Sequence, residues 1–223
     1  MAAPRVPTYD DVRPTPRDRA TMMVEMFPGV GYSDSLPKQP HVEAAAWNGK
    51  LSISRTWAMP NKDTFSVKPI GNFVKKYLSA STVSVDPFAR NRLWATHTND
   101  IDPETEAAHH MDAVAFLEKM RKDGVVADLV ILDPPYSPRQ ISECYQRIGK
   151  KVGMRDTQNS ALYKAVRNGA NRILVEGGIA LSFGWNTSGI GKKRGFEQME
   201  ILICDHGGAH NATLCLAERK MVI

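Results

Sequence analysis

The chain has 223 residues, a formal net charge of +5 and a pI near 9.1. This length suits one domain with a full hydrophobic core, with room for a small subdomain or tail. The excess of lysine and arginine favours a polyanionic partner without identifying one.

Cysteine content and hydropathy exclude two classes of protein. Cys144, Cys204 and Cys215 are too few for a disulfide framework and lack the spacing of a metal site, as expected of reduced intracellular thiols. We find neither a signal peptide nor an apolar run of membrane-spanning length. We therefore expect a cytoplasmic protein that binds neither membrane nor metal.

The N-terminal segment differs from the rest of the chain because proline interrupts it repeatedly and its apolar residues show little periodicity. We expect a largely irregular arm over residues 1–45 and a single domain over residues 46–223. The prolines of the arm are Pro4, Pro7, Pro14, Pro16, Pro28, Pro37 and Pro40.

The domain begins with an alternating segment, Leu51–Ser54, that predicts a strand. A helix is predicted from Ile70 to about Leu78 because apolar residues recur at helical spacing. Pro69 suits the first turn of that helix, where a missing backbone N–H costs nothing.

A first core strand, Thr82–Val85, is followed by Asp86-Pro-Phe88. The next strand, about Trp94–Thr98, begins only eight residues after Asp86. A parallel crossover normally needs a dozen residues or more. We therefore expect the first crossover helix to be missing or reduced to a turn.

Two further acidic residues follow predicted strands. Asp100 comes after the second strand, and Asp112 follows a short third strand, His109–Met111. Asp102 competes with Asp100 for a binding role but is better explained as a helix cap before Pro103. The two adjacent histidines have no third ligand at suitable spacing for a metal.

The most informative segment is Asp128–Tyr136. Asp128–Leu132 is a short, mostly apolar run that predicts a strand buried on both faces of a parallel sheet. Pro134 and Pro135 cannot donate ladder hydrogen bonds, so the chain must leave the sheet there. A carboxylate, Asp133, and an aromatic ring, Tyr136, thus stand at the carboxyl end of a strand, where open α/β sheets bind ligands.

These residues suit the chemistry of an exocyclic amino group on a nucleobase. Asp133 and the carbonyl oxygen of Pro134 can both accept its hydrogen atoms, which favours a tetrahedral, nucleophilic nitrogen. Tyr136 can stack on a base removed from its helix.

The rest of the chain predicts two helices, a strand and a hairpin. The helices cover Gln140 to about Gly149 and Ser160–Leu174, and the fifth strand covers Gly178–Phe183. A glycine-rich, basic segment then leads into the hairpin formed by Phe196–Cys204 and Ala212–Glu218.

The sequence Asp133-Pro-Pro-Tyr136 resembles the motif of S-adenosylmethionine-dependent amino-group DNA methyltransferases, mainly those acting on adenine N6. The resemblance runs from about Met59 to the C-terminus, in the order of the γ arrangement, and is strongest with small enzymes of phage and prophage type. It implies an α/β, Rossmann-like methyltransferase fold with a mostly parallel central sheet and a C-terminal antiparallel β-hairpin.

The resemblance also implies an S-adenosylmethionine site. The Lys-Pro helix resembles motif X, which places Phe65 and Lys68 beside the methionine end of the cofactor. Asp86 and Phe88 resemble the opening of Asp-Pro-Phe-x-Gly-x-Gly, although Ala89-Arg-Asn-Arg92 carries neither glycine. Asp100 would hold the ribose, Asp112 the adenine amino group, and Asp133 would contact both cofactor and substrate.

DNA is the partner that this resemblance implies, with RNA as a weaker alternative. Alternative functions are cytosine-N4 methylation of DNA, adenine-N6 methylation of RNA, and a catalytically silent nucleic-acid-binding paralogue or partner subunit. Expected catalytic residues are Asp133, Pro134, Pro135 and Tyr136. Expected nucleic-acid contacts are Ser137, Arg139, Lys192, Lys193 and Arg194.

Overall fold

A seven-stranded sheet organises the domain. The computed structural model describes residues 47–149, 159–208 and 210–222. The irregular arm expected over residues 1–45 lies outside these residues and stays a prediction.

The strands are short near one edge of the sheet and long near the other. Their bounds are β1 Ser52–Trp57, β2 Ser84–Asp86, β3 His97–Thr98, β4 Ala127–Leu132, β5 Leu174–Gly184, β6 Phe196–Asp205 and β7 Thr213–Lys220.

The strand order is β1-β6-β7-β5-β4-β2-β3. Strand β7 runs antiparallel to both of its neighbours, β5 and β6, whereas all other paired strands are parallel. A parallel sheet with one antiparallel strand inserted by a C-terminal hairpin is the Rossmann-like methyltransferase topology. The fold expected from the sequence is therefore confirmed.

Four helices flank the sheet in the described part of the chain. They are α1 Lys68–Leu78, α2 Ala113–Lys122, α3 Pro138–Arg147 and α4 Asn159–Ile173. Helix α1 buries Ile70, Phe73 and Val74 in a core on one face of the sheet. Helices α2 and α4 pack into a second core on the other face. None of these helices is long and apolar enough to cross a bilayer.

The connection between β2 and β3 contains turns and no helix, as the short spacing predicted. The expected third strand is shorter than predicted, because residues 109–111 contribute only an isolated parallel bridge between Asn99 and His109. The Asn99 side chain provides hydrogen bonds where the sheet provides no more: its amide donates to the carbonyl oxygens of Pro87 and Met111. One buried side chain thus joins the three loops at this edge.

A loop instead of a helix also connects β5 to β6. This loop is fixed by Glu218, which is 1% exposed and lies on β7. The Glu218 carboxylate accepts the backbone N–H groups of Ile190 and Gly191, at 2.5 and 3.1 Å. Hydrogen bonds to a buried carboxylate are stronger than those between neutral groups, so this contact holds the loop against the sheet.

Replacing Gly189 with alanine should destabilise this loop. Gly189 has a φ of +49°, and an added Cβ would overlap the Glu218 carboxylate. We expect a loss of about 2–4 kcal/mol in the free energy of unfolding, from backbone strain and weakened charged hydrogen bonds. Chemical denaturation measures it. Gly208→Ala is the control, because no atom lies within 4 Å of the added Cβ; equal stability of both variants would contradict the anchoring role.

Candidate active site

A cavity of about 360 Å³ opens at the carboxyl end of the parallel strands. Loops after β2, β3 and β4 form its walls, and α3 covers one side. Its volume lies within the range of small-molecule sites in proteins. Of the residues expected from the sequence, it is lined by Phe88, Asp100, Asp112, Asp133, Pro134, Pro135 and Tyr136.

Strand β4 delivers the central motif to this cavity. All six of its residues are buried, as the apolar run predicted. After the two prolines, Ser137 begins α3 with a capping box: its hydroxyl accepts the N–H of Gln140. The Gln140 side chain in turn accepts the backbone N–H of Tyr136 at 2.6 Å. The motif is therefore held rigidly between a buried strand and a capped helix.

Asp133 and Tyr136 are directly hydrogen-bonded: the phenol donates to Oδ1 of the carboxylate. Burial raises the pKa of Asp133 to about 6, while the hydroxyl groups of Tyr136 and Thr64 oppose that rise. Burial and the adjacent carboxylate raise the pKa of Tyr136 as well, so its hydroxyl stays protonated and donates. Asp133 therefore titrates close to neutral pH.

Two aromatic residues support the motif from either side. The Trp185 ring meets that of Tyr136 edge to face, with centroids 5.9 Å apart and planes at 64°. Tyr163, on α4, donates its hydroxyl to the carbonyl oxygen of Pro135 at 2.9 Å. The Pro134 carbonyl accepts no hydrogen bond from the described residues, so it is available to an amino group of a substrate.

Asp86 is buried and does not line the cavity. The residue is 2% exposed, and its Oδ1 accepts the N–H of Phe88 at 2.9 Å. Burial raises the pKa of Asp86 to about 8, and the negative charges of Asp133 and Asp100 contribute. Asp86 therefore shapes the loop that carries Phe88, and a direct contact with a cofactor stays a prediction.

Asp100 and Asp102 both line the cavity but differ in their partners. Asp100 accepts the backbone N–H groups of Arg90 and Asp102, at 3.1 and 2.9 Å. Asp102 accepts the N–H of Glu104 and lies 3.4 Å from the Arg147 guanidinium. Asp102 thus caps a turn, where a helix was expected, and its second oxygen already pairs with a cation.

Asp112 has two simultaneous roles. Its Oδ1 caps α2 by accepting the N–H groups of Val114 and Ala115, at 2.9 and 3.3 Å. Its Oδ2 accepts the Tyr145 hydroxyl from α3 at 3.1 Å. The cap fixes the carboxylate at the cavity wall, and the hydrogen bond from Tyr145 connects α3 to the start of α2.

The residues of the predicted motif X are not brought to the cavity. Phe65 is buried in the core, parallel to Trp94 with centroids 6.0 Å apart, and Lys68 is exposed at the start of α1. Lys62 and Thr64, from the same segment, line the cavity instead. The 3-10 turn at Thr64–Ser66 explains the difference, since it turns Phe65 inward and Thr64 outward.

The basic loop lies away from the position that the sequence suggested. The basic loop forms a 3-10 turn at Lys192, Lys193 and Arg194, just before β6 begins. The first residue of β6 pairs with Lys220, the last residue of β7. The end of the sheet at which the cavity opens is marked by the pairing of Gly184 with Leu214. Leu214 and Lys220 are six residue steps apart along β7, or about 20 Å, so the expectation that this loop lies on the cavity side was wrong.

The other residues expected to bind nucleic acid lie on α3. Ser137 is the N-cap of the helix, and Arg139 is exposed and pairs with Glu143 at 2.8 Å. Their contacts with nucleic acid, like those of Lys192, Lys193 and Arg194, stay predictions.

Several cavity residues were not found from the sequence. Thr64, Tyr145 and Arg147 carry no motif, and their positions depend on how a turn and a helix pack. Arg90 did have a signal, because it replaces the first glycine of the pattern that Asp86-Pro-Phe88 opens. Trp185 follows the glycine-rich end of β5, but only the structure places it against Tyr136.

No group of three metal-binding side chains occurs among residues 47–149, 159–208 and 210–222. The paired histidines point to separate partners: His110 meets the Asp102 carbonyl oxygen at 3.0 Å, and His109 packs beside Phe116.

Comparison with known proteins gives structural neighbours only. Neither a family model nor a curated protein matches this chain. TrmN from Thermus thermophilus is 14% identical with a TM-score of 0.47, and the match covers 68% of this chain and 48% of TrmN. N-methyltransferase NodS from Bradyrhizobium japonicum WM9 is 9% identical with a TM-score of 0.49, covering 73% and 100%.

A third neighbour is a tRNA m1G37 methyltransferase from M. jannaschii, 15% identical with a TM-score of 0.40, covering 70% of this chain and 51% of that protein. The chain therefore spans about half the length of this enzyme and of TrmN. The strand order of the chain establishes its fold independently.

The raised pKa of Asp86 predicts a pH-dependent stability. Because its pKa rises from 3.8 to about 8 on folding, unfolding releases a proton between these values, and rising pH favours unfolding. Asp86→Asn keeps an acceptor for the Phe88 N–H without a charge. We expect the melting temperature of the variant, relative to the unmodified protein, to increase from pH 5 to pH 8.

Thermal unfolding at pH 5, 6.5 and 8 measures this difference. Asp123→Asn, at the exposed end of α2, is the control and should show no such trend. A constant difference across the pH range would contradict a protonated Asp86.

Proposed function

We propose that this protein transfers a methyl group from S-adenosylmethionine to the N6 amino group of adenine in DNA. The observation that carries the proposal is the placement of Asp133-Pro-Pro-Tyr136 in the wall of a cavity that Asp100 and Asp112 also line. An amino-group acceptor and a stacking ring thus face the same space as two carboxylates suited to hydroxyl and amino donors.

The described residues fit S-adenosylmethionine in size and chemistry. Asp100 can accept ribose hydroxyl groups, since each carboxylate oxygen has two acceptor sites and uses one for a backbone N–H. Phe88, Ile101 and Leu162 supply apolar surface for an adenine ring. When bound, this cofactor supplies a methyl group made electrophilic by a positively charged sulfur.

Asp133 and Pro134 would act on the substrate amino group. Each accepts one of its hydrogen atoms, which draws the nitrogen lone pair out of the ring and directs it at the methyl group. Methylation would leave a positive charge on that nitrogen. The Asp133 carboxylate stabilises that charge and can take the surplus proton, for which a pKa of about 6 is suitable.

Tyr136 would hold the base in two ways. Its ring offers a stacking surface, and its hydroxyl fixes the orientation and lowers the pKa of Asp133. Trp185, half exposed beside it, limits the space on one side of the ring. This geometry suits a base that has left its helix.

The direct test is to incubate the protein with S-adenosylmethionine labelled on its methyl group and either duplex DNA, single-stranded DNA or RNA. After digestion, we expect the label on N6-methyladenine from DNA. Label on N4-methylcytosine would identify cytosine in DNA as the substrate, and label on adenine from RNA would identify RNA as the substrate. Binding of cofactor without any transfer would favour a catalytically silent nucleic-acid-binding protein.

Asp133→Ala should abolish transfer while cofactor binding persists. The carboxylate acts mainly in the transition state, so we expect a loss of about two to three orders of magnitude in kcat. Asp123→Ala removes an exposed acid elsewhere and should keep full activity. Robust turnover by Asp133→Ala would exclude the proposed mechanism.

Tyr136→Phe should retain the ring but lose the hydrogen bond to Asp133. That bond lowers the pKa of Asp133, so the acidic limb of the kcat profile should move to higher pH in the variant. Tyr136→Ala should also lose base stacking, worth about 1–3 kcal/mol. A pH–rate series on the three proteins measures both effects; an unshifted profile for Tyr136→Phe would exclude control of Asp133 by the hydroxyl.

A further inference from the structure

Arg90 has an unusual backbone conformation. Its φ is +52°, and it is the only non-glycine residue of the described chain with a positive φ. A side chain in this left-handed region is strained, and glycine is the residue that adopts it without cost. Arg90 stands where Asp-Pro-Phe-x-Gly-x-Gly has its first glycine, so the backbone keeps the conformation of a glycine while the chain carries an arginine.

Both ends of Arg90 are held. Its backbone N–H donates to Oδ2 of Asp100 at 3.1 Å, which fixes the strained turn against the cavity wall. Its guanidinium donates to the carbonyl oxygen of Lys62 at 2.9 Å, which holds the side chain beside the cavity. The strained conformation therefore places a cation at a defined position.

The charge of Arg90 acts on the site but has no carboxylate within ion-pair distance among the described residues. It lowers the pKa of both Asp133 and Asp100 through space. A guanidinium has five N–H donors, and the Lys62 carbonyl uses one of them. The remaining donors can bind an anion that enters the cavity.

The other cations at the cavity are less suited to bind an anion. Arg147 pairs with Asp102 at 3.4 Å. Lys62 contributes its backbone carbonyl to Arg90, and its exposed side chain forms no hydrogen bond within the described chain. Lys68, expected beside the amino-acid end of the cofactor, does not line the cavity. Among the cations that line the cavity, Arg90 is therefore the one whose side chain is held in place without a carboxylate partner among the described residues.

We propose that Arg90 binds the carboxylate of the amino-acid portion of the cofactor. This inference rests on the proposed function, which makes S-adenosylmethionine the ligand. Its ribose and adenine suit acceptors such as Asp100 and Asp112, whereas its carboxylate needs a donor that these acidic walls do not offer. A planar guanidinium matches a carboxylate in a two-point contact, which explains an arginine in a glycine conformation.

Two ligands separate this role from a general effect on the site. S-adenosylhomocysteine carries the carboxylate, whereas 5′-methylthioadenosine keeps adenine, ribose and sulfur but lacks the amino-acid portion. In calorimetric titrations, Arg90→Gln and Arg90→Gly should lower affinity for S-adenosylhomocysteine about 10- to 100-fold. Affinity for 5′-methylthioadenosine should change less than about twofold.

Stability gives an independent readout of the strain. Arg90→Gly should melt about 2–4 °C above Arg90→Gln, because both variants lose the guanidinium contacts and only glycine relieves the left-handed conformation in a domain of this size. Arg90→Gln keeps the strain and should melt no higher than the unmodified protein. Arg92→Gln is the charge control: Arg92 pairs with Asp63 at 2.5 Å and does not line the cavity, so its ligand discrimination should be unchanged.

Equal losses of affinity for both ligands in the Arg90 variants would overturn the proposal, because Arg90 would then only balance the charge of nearby carboxylates. Unchanged affinity for S-adenosylhomocysteine would overturn it as well. If the unmodified protein binds neither ligand, the proposed function itself fails and this inference with it. Affinity lost only for S-adenosylhomocysteine, together with a higher melting temperature for Arg90→Gly than for Arg90→Gln, supports it.

Discussion

Removal of carboxylates from water at the carboxyl edge of the sheet is the constraint on which the site depends. Asp86, Asp100 and Asp133 all have a raised pKa, and in each case burial is the largest cause. Backbone N–H groups and hydroxyls offset part of this cost. The loops after β2, β3 and β4 therefore adopt conformations that direct donors at these acids, and the same contacts form the cavity.

A shortened crossover imposes a second constraint. Without a helix between β2 and β3, the connecting turns must satisfy their own polar groups at the cavity wall. The Asn99 side chain and the Asp100 carboxylate do so, and Arg90 adopts a left-handed conformation as part of the arrangement. A glycine-rich loop would give the cavity a neutral backbone surface; here the same position carries a cation.

The connection between β5 and β6 follows a similar rule. A buried carboxylate, Glu218, takes the place of a helix by binding two backbone N–H groups of the loop. The beginning of the loop places Trp185 against Tyr136. The end of the loop lies at the opposite end of the strands, where β6 begins. One loop thus contributes an aromatic residue to the site and a basic turn to a distant surface.

The sequence alone predicted the fold and the central motif, because local patterns indicate the strands and helices and because Asp133-Pro-Pro-Tyr136 resembles the motif of a family with this fold. An apolar run followed by Pro134 and Pro135 predicted a buried strand that ends there, and the eight-residue spacing after Asp86 predicted a crossover helix that is missing or reduced to a turn. Tertiary structure decided the rest of the site. The inward turn of Phe65, the pairing of Tyr145 with Asp112 and the position of the basic turn depend on packing between distant segments. No local pattern in a single sequence encodes which of two neighbouring side chains faces a cavity, because that choice is made by the segments that pack against them.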